Sequence, residues 1–154
     1  MQRALAVAGI TVRVVTLPGS TRTATDAAAA IGCRVEQIAK SLVFRRADSG
    51  DPVLIIASGT NGVDEQLVSS HLNTEVTKAD ADFVRSTTGF AIGGVPPLGH
   101  DVPLETLIDR DLLRLDTIWA AAGTPHAVFS INPNELVRAT HGRVVPVSTP
   151  RSPS

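Results

Sequence analysis

The chain has 154 residues, 43% of them hydrophobic, with a net charge of −1 and a single cysteine. This length specifies one domain that buries about 68–70% of its unfolded surface. One cysteine excludes an internal disulfide framework, and dispersed, balanced charge excludes a protein that grips DNA or long RNA by bulk positive potential. The longest aliphatic run, Val53 to Ala57, is far too short to cross a bilayer, and the N-terminus lacks the layout of a signal peptide. The expected compartment is the cytoplasm, with no membrane or DNA partner.

In chain order, Gln2 to Ala8 reads as a short helix stopped by Gly9, and Val12 to Leu17 as a β-branched strand ended by Pro18-Gly19. Thr23 with Asp26 forms a capping box for an Ala-rich helix that stops at Gly32. Strands follow at about Lys40–Arg46 and Val53–Ala57, joined by an Asp-Ser-Gly-Asp-Pro turn. The second is apolar on both faces and is therefore expected to be central. Asp64 caps a helix through His71, and Thr77 with Asp80 reads as a capping box for a helix through Ser86. A strand is expected near Val102–Ile108, then a turn or short helix over Asp109–Leu115. Strands at 117–122 and 126–131 flank Gly123-Thr124-Pro125 as a hairpin. Asn132, with Pro133 at the first helical position, starts a last helix that ends at Gly142. Val144–Val147 reads as a final strand, and the Ser/Pro-rich tail from 148 to 154 as disordered. The domain is thus 1–147, an α/β mixed sheet with helices rather than a pure βαβ series.

Conventional hydrolytic chemistry has no signature here. The four histidines, at 71, 100, 126 and 141, lack the short spacing of a metal pair, so no metal and no cofactor is expected. There is no G-x-S-x-G elbow and no phosphate-binding P-loop. Cys33, beside Arg34 at a helix end, reads as a small residue filling that terminus rather than a nucleophile.

Against this background one segment stands out: Thr88-Gly89-Phe90-Ala91-Ile92-Gly93-Gly94-Val95-Pro96-Pro97-Leu98-Gly99. Glycine allows close backbone approach and proline rigidifies, so the segment reads as a side-chain-poor wall with main-chain donors facing outward. Fifty residues earlier, Gln37-Ile38-Ala39-Lys40-Ser41-Leu42 places a lysine where a strand begins. Taken by itself, Lys40 is either a surface lysine or a point cation at a site. Ser41 is either an outward strand residue or a hydroxyl for substrate. The spacing of Gly93 and Pro97 fits either turn geometry or a ligand wall. His126 either faces a pocket from the hairpin or serves as a turn residue after Pro125.

Together, the lysine strand and the glycine motif resemble the YbaK/prolyl-tRNA-synthetase-associated editing domain family, the aminoacyl-tRNA deacylases, over roughly residues 10–147. The resemblance implies a curved mixed sheet flanked by helices, with the glycine loop lining a pocket. It implies hydrolysis of a mischarged aminoacyl-tRNA, plausibly tRNA(Pro) bearing a small wrong amino acid, without a bound metal or a side-chain nucleophile. The acceptor end of the tRNA would be the partner, with prolyl-tRNA synthetase a candidate second one. Catalysis would fall to Lys40 and Gly93, and substrate binding to Ser41, Thr88, Gly94, Pro97 and His126, with Thr88 and Gly89 chiefly shaping the loop. An aminoacyl ester is already activated, and the neighbouring ribose hydroxyl can orient water or attack, so positioning and main-chain hydrogen bonds to the oxyanion would suffice. The chain departs from the Cys-tRNA(Pro) deacylases of the family at three places. Ala121 replaces a serine, Leu17 a tyrosine, and His126-Ala127-Val128 a Gly-Leu-Asp-like segment, so cysteine specificity does not carry over. A rival from another class is a catalytically silent module that binds an aminoacyl group or docks on a synthetase.

Overall fold

The computed structural model describes residues 14–17, 23–92, 94–100, 102, 104–124 and 126–148. The expected helix at 2–8, the first two residues of the first strand, the turn at 18–19, Gly93, Pro125 and the tail beyond 148 lie outside them. Eight strands among the described residues form one mixed sheet: β1 (Val14–Thr16), β2 (Ile38–Arg46), β3 (Pro52–Ser58), β4 (Val76–Lys78), β5 (Glu105–Asp109), β6 (Ile118–Ala121), β7 (Ala127–Ile131) and β8 (Arg143–Val145). Their order is β1-β7-β6-β2-β3-β5-β8, and β4 pairs with β2 outside this path. Four α-helices accompany them: α1 (Ala24–Ile31), α2 (Glu65–Leu72), α3 (Ala81–Thr88) and α4 (Pro133–Thr140).

Local sequence sets most of these boundaries. Thr23 Oγ1 accepts the Asp26 N–H at 3.0 Å, and Gly32 closes α1 at φ 84°. Asp64 accepts from the Gln66 and Leu67 amides to start α2. Asn132 accepts from Asn134 N–H, and Pro133 opens α4 where no N–H is needed. Val53 to Ser58 is buried throughout, as a central strand apolar on both faces requires.

Three expectations change. Thr77 is not a cap: it lies in β4, opposite Arg45 of β2, and Asp80 alone caps α3 through the Phe83 N–H at 2.8 Å. The helix runs to Thr88 instead of Ser86, closed by Gly89 at φ 79°. Three residues of β-branched Val-Thr followed by lysine were enough to pair with the end of β2, and that pairing outweighed the local capping pattern. Val102 lies outside β5 and is 70% exposed. At the end of α4, His141 takes the left-handed cap position at φ 55°. Gly142 has a packing reason, since a Cβ there would stand 2.7 Å from Ile108 Cδ1.

Strand alternation divides the core in two. One face carries Ala39, Val43, Leu54, Ile56, Ile108, Ala120 and Phe129, covered by Val84 of α3, Leu136 of α4 and Val95 and Leu98 of the glycine segment. The other carries Phe44, Val53, Ile55, Ala57 and Leu107, covered by Val68 and Leu72 of α2. α1 lies beside this second cluster and packs Ala27 and Ala28 on Ile38 and Trp119. Phe44 and Phe129 are almost wholly buried, each stabilising the fold by about 1.5–3 kcal/mol relative to exposure. No helix among the described residues is long and apolar enough to cross a membrane.

Candidate active site

The sheet contains a notch. β6 pairs with β2 only at Ile38 and Ala39, and β4 only from Phe44 to Arg46. Between them, Lys40 to Val43 face no strand on that edge among the described residues. At both ends of the β2–β3 ladder the even-numbered residues bond to the β3 side: Gly59 N–H donates to the Ile38 carbonyl, and Arg46 N–H to the Asp51 carbonyl. Odd-numbered residues therefore aim their main-chain groups at the notch. Val43 carbonyl is partnered there by Ala79 N–H, at 3.3 Å, which leaves Ser41 as the main-chain opening.

A cavity of about 660 Å³ fills the notch and reaches both faces of β2. Its size falls within the usual range for small-molecule sites. Lys40 and Ser41 are adjacent and so point to opposite faces, yet both line it because the missing strand joins the two sides. On the Lys40 side stand Thr23, the cap of α1, Thr25 within it, Gly59, Gly62 and Trp119. On the Ser41 side stand Ala39, Ala120, Val84, Val95 and Ile92. The chain has two lysines, Lys40 and Lys78, and both line this cavity. Among the described residues lining it there is no carboxylate, histidine or cysteine.

Burial pushes the Lys40 ammonium below its ordinary range; Asp109 opposes that shift and Lys78 adds to it. Ser41 Oγ is buried and has no hydrogen-bond partner among the described residues. A buried hydroxyl without a partner costs free energy, of order 1–3 kcal/mol, which a ligand could recover. Arg45, near the cavity's β4 side, lies 5.0 Å over the Phe83 ring.

The glycine segment contributes differently from the expected outward wall. Gly94 to Leu98 are buried. Gly94 N–H donates to the Ala91 carbonyl at 2.9 Å, and Pro96 and Pro97 have no N–H. The segment meets the cavity at Ile92 and Val95. It is stapled by His100, whose Nε2 bonds the Pro96 carbonyl at 2.8 Å and whose ring meets Phe90 edge-on at 5.6 Å. Phe90 in turn lies against the β6–β7 hairpin, where Gly123 sits at φ +101° and a Cβ would approach Phe90 Cε1 to 3.2 Å. Thr88 Oγ1 donates back to the Val84 carbonyl at 2.6 Å and accepts Phe90 N–H at 3.1 Å, so it closes α3 and turns the chain into the segment. His126 is exposed, and its carbonyl accepts Leu17 N–H at 2.6 Å.

The structure thus brings Lys40 and Ser41 together at one cavity. Thr88, Gly94, Pro97 and His126 are not among its lining residues, and Gly93 lies outside the described residues. The main-chain edge at Ser41 and the places of Lys78 and Thr25 beside it have no local signature in the sequence, and Thr23 reads there only as a helix cap. The notch arises from which strands fail to pair, and no local pattern encodes it. Cys33 is half-buried and its thiol is pushed up by burial, the opposite of an activated nucleophile.

Comparison with known proteins accords with this geometry. The chain is 32% identical over 126 residues to the protein YwhH of Bacillus subtilis (strain 168), covering 81% of this chain and 79% of that one. It superposes with a TM-score of 0.90 on a solved structure described as a candidate trans-editing enzyme for prolyl tRNA synthetase, at 43% identity, covering 97% of this chain and 94% of that one. It matches the hypothetical protein APE2540 equally well, with a TM-score of 0.90 at 28% identity and coverage of 96% and 98%. The aminoacyl-tRNA editing domain profile matches residues 19–139, and the chain belongs to that family.

Proposed function

We propose that the protein is a trans-editing deacylase, a carboxylic-ester hydrolase that removes a wrong, small amino acid from tRNA(Pro), with residues 1–147 acting as one editing domain. The observation that carries this reading is the notch cavity, lined by both lysines of the chain and by an unpartnered hydroxyl but, among the described residues, by no carboxylate, histidine or thiol. Such a set favours positioning over nucleophilic attack by the protein. The esterified end of the tRNA enters the notch. Lys40 acts as a point cation beside the ester or the terminal ribose, Ser41 offers its hydroxyl and main chain, and the ribose hydroxyl next to the ester orients the attacking water. Gly93, adjacent in sequence to the cavity-lining Ile92, donates its N–H to the developing oxyanion. Thr88, Gly94, Pro97 and His126 act indirectly, by holding the glycine segment and the hairpin around the substrate. The cytoplasm supplies charged tRNA, and association with prolyl-tRNA synthetase fits the neighbour described above.

The test is a deacylation panel: tRNA(Pro) charged with alanine, cysteine, serine or proline, and non-proline tRNAs charged with alanine, each corrected for spontaneous hydrolysis. Turnover of alanyl- or cysteinyl-tRNA(Pro), with prolyl-tRNA(Pro) spared, is the expected result. Tight binding with no turnover of any member would instead identify a catalytically silent binding module.

A further inference from the structure

Asp109 is the last residue of β5 and is 1% exposed. Its carboxylate accepts three hydrogen bonds, from Ser58 N–H at 3.0 Å, Asn61 Nδ2 at 2.8 Å and Asp111 N–H at 2.9 Å. All three donors are neutral, and no cation lies within ion-pair distance of it among the described residues. A buried carboxylate held by neutral donors keeps its field for more distant charges, because little water screens it.

The sheet register shows which charge that is. Lys40 of β2 stands opposite Ala57 of β3, and β3 runs parallel to β5 with Ile56 beside Ile108. Asp109 therefore follows as the neighbour of Ala57. The three form one row on one face of the sheet, Lys40 and Asp109 on either side of a methyl group, at roughly 10 Å between backbones. Ala57 is completely buried, so the space between them is low in dielectric. Gly62 and Val63 line both the notch cavity and a second hollow of about 610 Å³ that contains Asp109, so the same short segment separates lysine from carboxylate.

We propose that Asp109 is the positioning residue for Lys40: its fixed buried charge holds the ammonium protonated and oriented at the notch, acting across Ala57. This rests on the role given to Lys40 above. The cavity-lining residues of α1, β6, the 59–63 segment and the rest of β2 carry no charge. Asp109 and, with opposite effect, Lys78 of β4 are the charges that bear on Lys40. Asn61 also bridges Asp109 to Asp111, bonding the latter at 2.9 Å, which ties the second carboxylate to the same anchor.

Two lysines in the chain make the test direct. In protein labelled with ¹³C,¹⁵N-lysine, the Lys40 side chain is titrated by NMR in wild type, Asp109→Asn and Asn61→Ala. Asp109→Asn is expected to move the Lys40 midpoint to lower pH. Asn61→Ala loosens the same segment but keeps the charge, and is expected to leave the midpoint in place. The kcat on alanyl-tRNA(Pro) is expected to fall in Asp109→Asn, by up to about 100-fold if the ammonium is displaced by an ångström. An unchanged Lys40 midpoint in folded Asp109→Asn, or an equal drop in both variants, overturns the proposal. A shifted midpoint with unaltered kcat shows the electrostatic coupling but overturns the positioning role of Asp109, while the role of Lys40 itself is decided by Lys40→Ala. If Asp109→Asn does not fold, the reciprocal variant decides: coupling is mutual, so the Asp109 carboxyl-carbon resonance should carry a step at the Lys40 midpoint in wild type and lose it in Lys40→Met. No difference there overturns the proposal equally.

Discussion

At the residue scale, the role proposed for Lys40 turns on the neighbours that bear on its charge. Lys40 is half-buried, and its ammonium is disfavoured by burial and by Lys78 but favoured by Asp109. Removing it relieves a desolvation cost and forms no core cavity, because the side chain borders an open one. Lys40→Ala is therefore expected to fold with a melting temperature close to wild type, measured by circular dichroism. The lysine and its serine neighbour stood out in the sequence through the family pattern, although the strand that carries them starts two residues earlier than expected, at Ile38. Their relation did not: adjacent strand residues point apart, and only the missing pairing on one edge of β2 returns them to one cavity. Asp109 reads in the sequence as the start of a turn, whereas it ends β5, and its relation to Lys40 runs through the register of three strands, which no local pattern carries.

At the scale of elements, helix starts were the most readable features where Thr23, Asp64 and Asn132 cap through their own side chains, while α3 starts at Asp80 and not at the expected Thr77. Short strands were the least readable. β4 is three residues long and exists because the end of β2 offers it an unpaired edge. It also defines one side of the notch, so a miss at the element scale hid the site itself. The segment after β3 shows how close the packing is. A Cβ on Gly59 would lie 2.3 Å from the Val35 carbonyl oxygen and 3.0 Å from Ala24 Cβ. Backbone cannot retreat as a side-chain tip can, so Gly59→Ala is expected to destabilise by about 1–3 kcal/mol and to disturb the α1 wall of the cavity. Denaturant unfolding checks this, and a variant as stable as wild type would show that α1 yields freely.

At the scale of the molecule, charge is nearly balanced, 14 Lys and Arg against 15 Asp and Glu, while both lysines gather at one cavity. Such a distribution suits a local grip on an RNA end. The expected salt dependence of deacylation is shallow, equivalent to a few phosphates at about −0.9 each on duplex or −0.7 on single strand in log–log slope. An acceptor-stem minihelix should then serve as substrate nearly as well as whole tRNA, and a steep slope with an inactive minihelix would point to an extended basic surface. The claim on which the rest depends is that the notch hydrolyses the ester and that Lys40 is needed for it. The most direct measurement is single-turnover deacylation of alanyl-tRNA(Pro) by wild-type protein and by folded Lys40→Ala, with spontaneous hydrolysis subtracted. The account predicts rapid loss of the ester with wild type and a rate near background with Lys40→Ala; equal rates from the two proteins would contradict it.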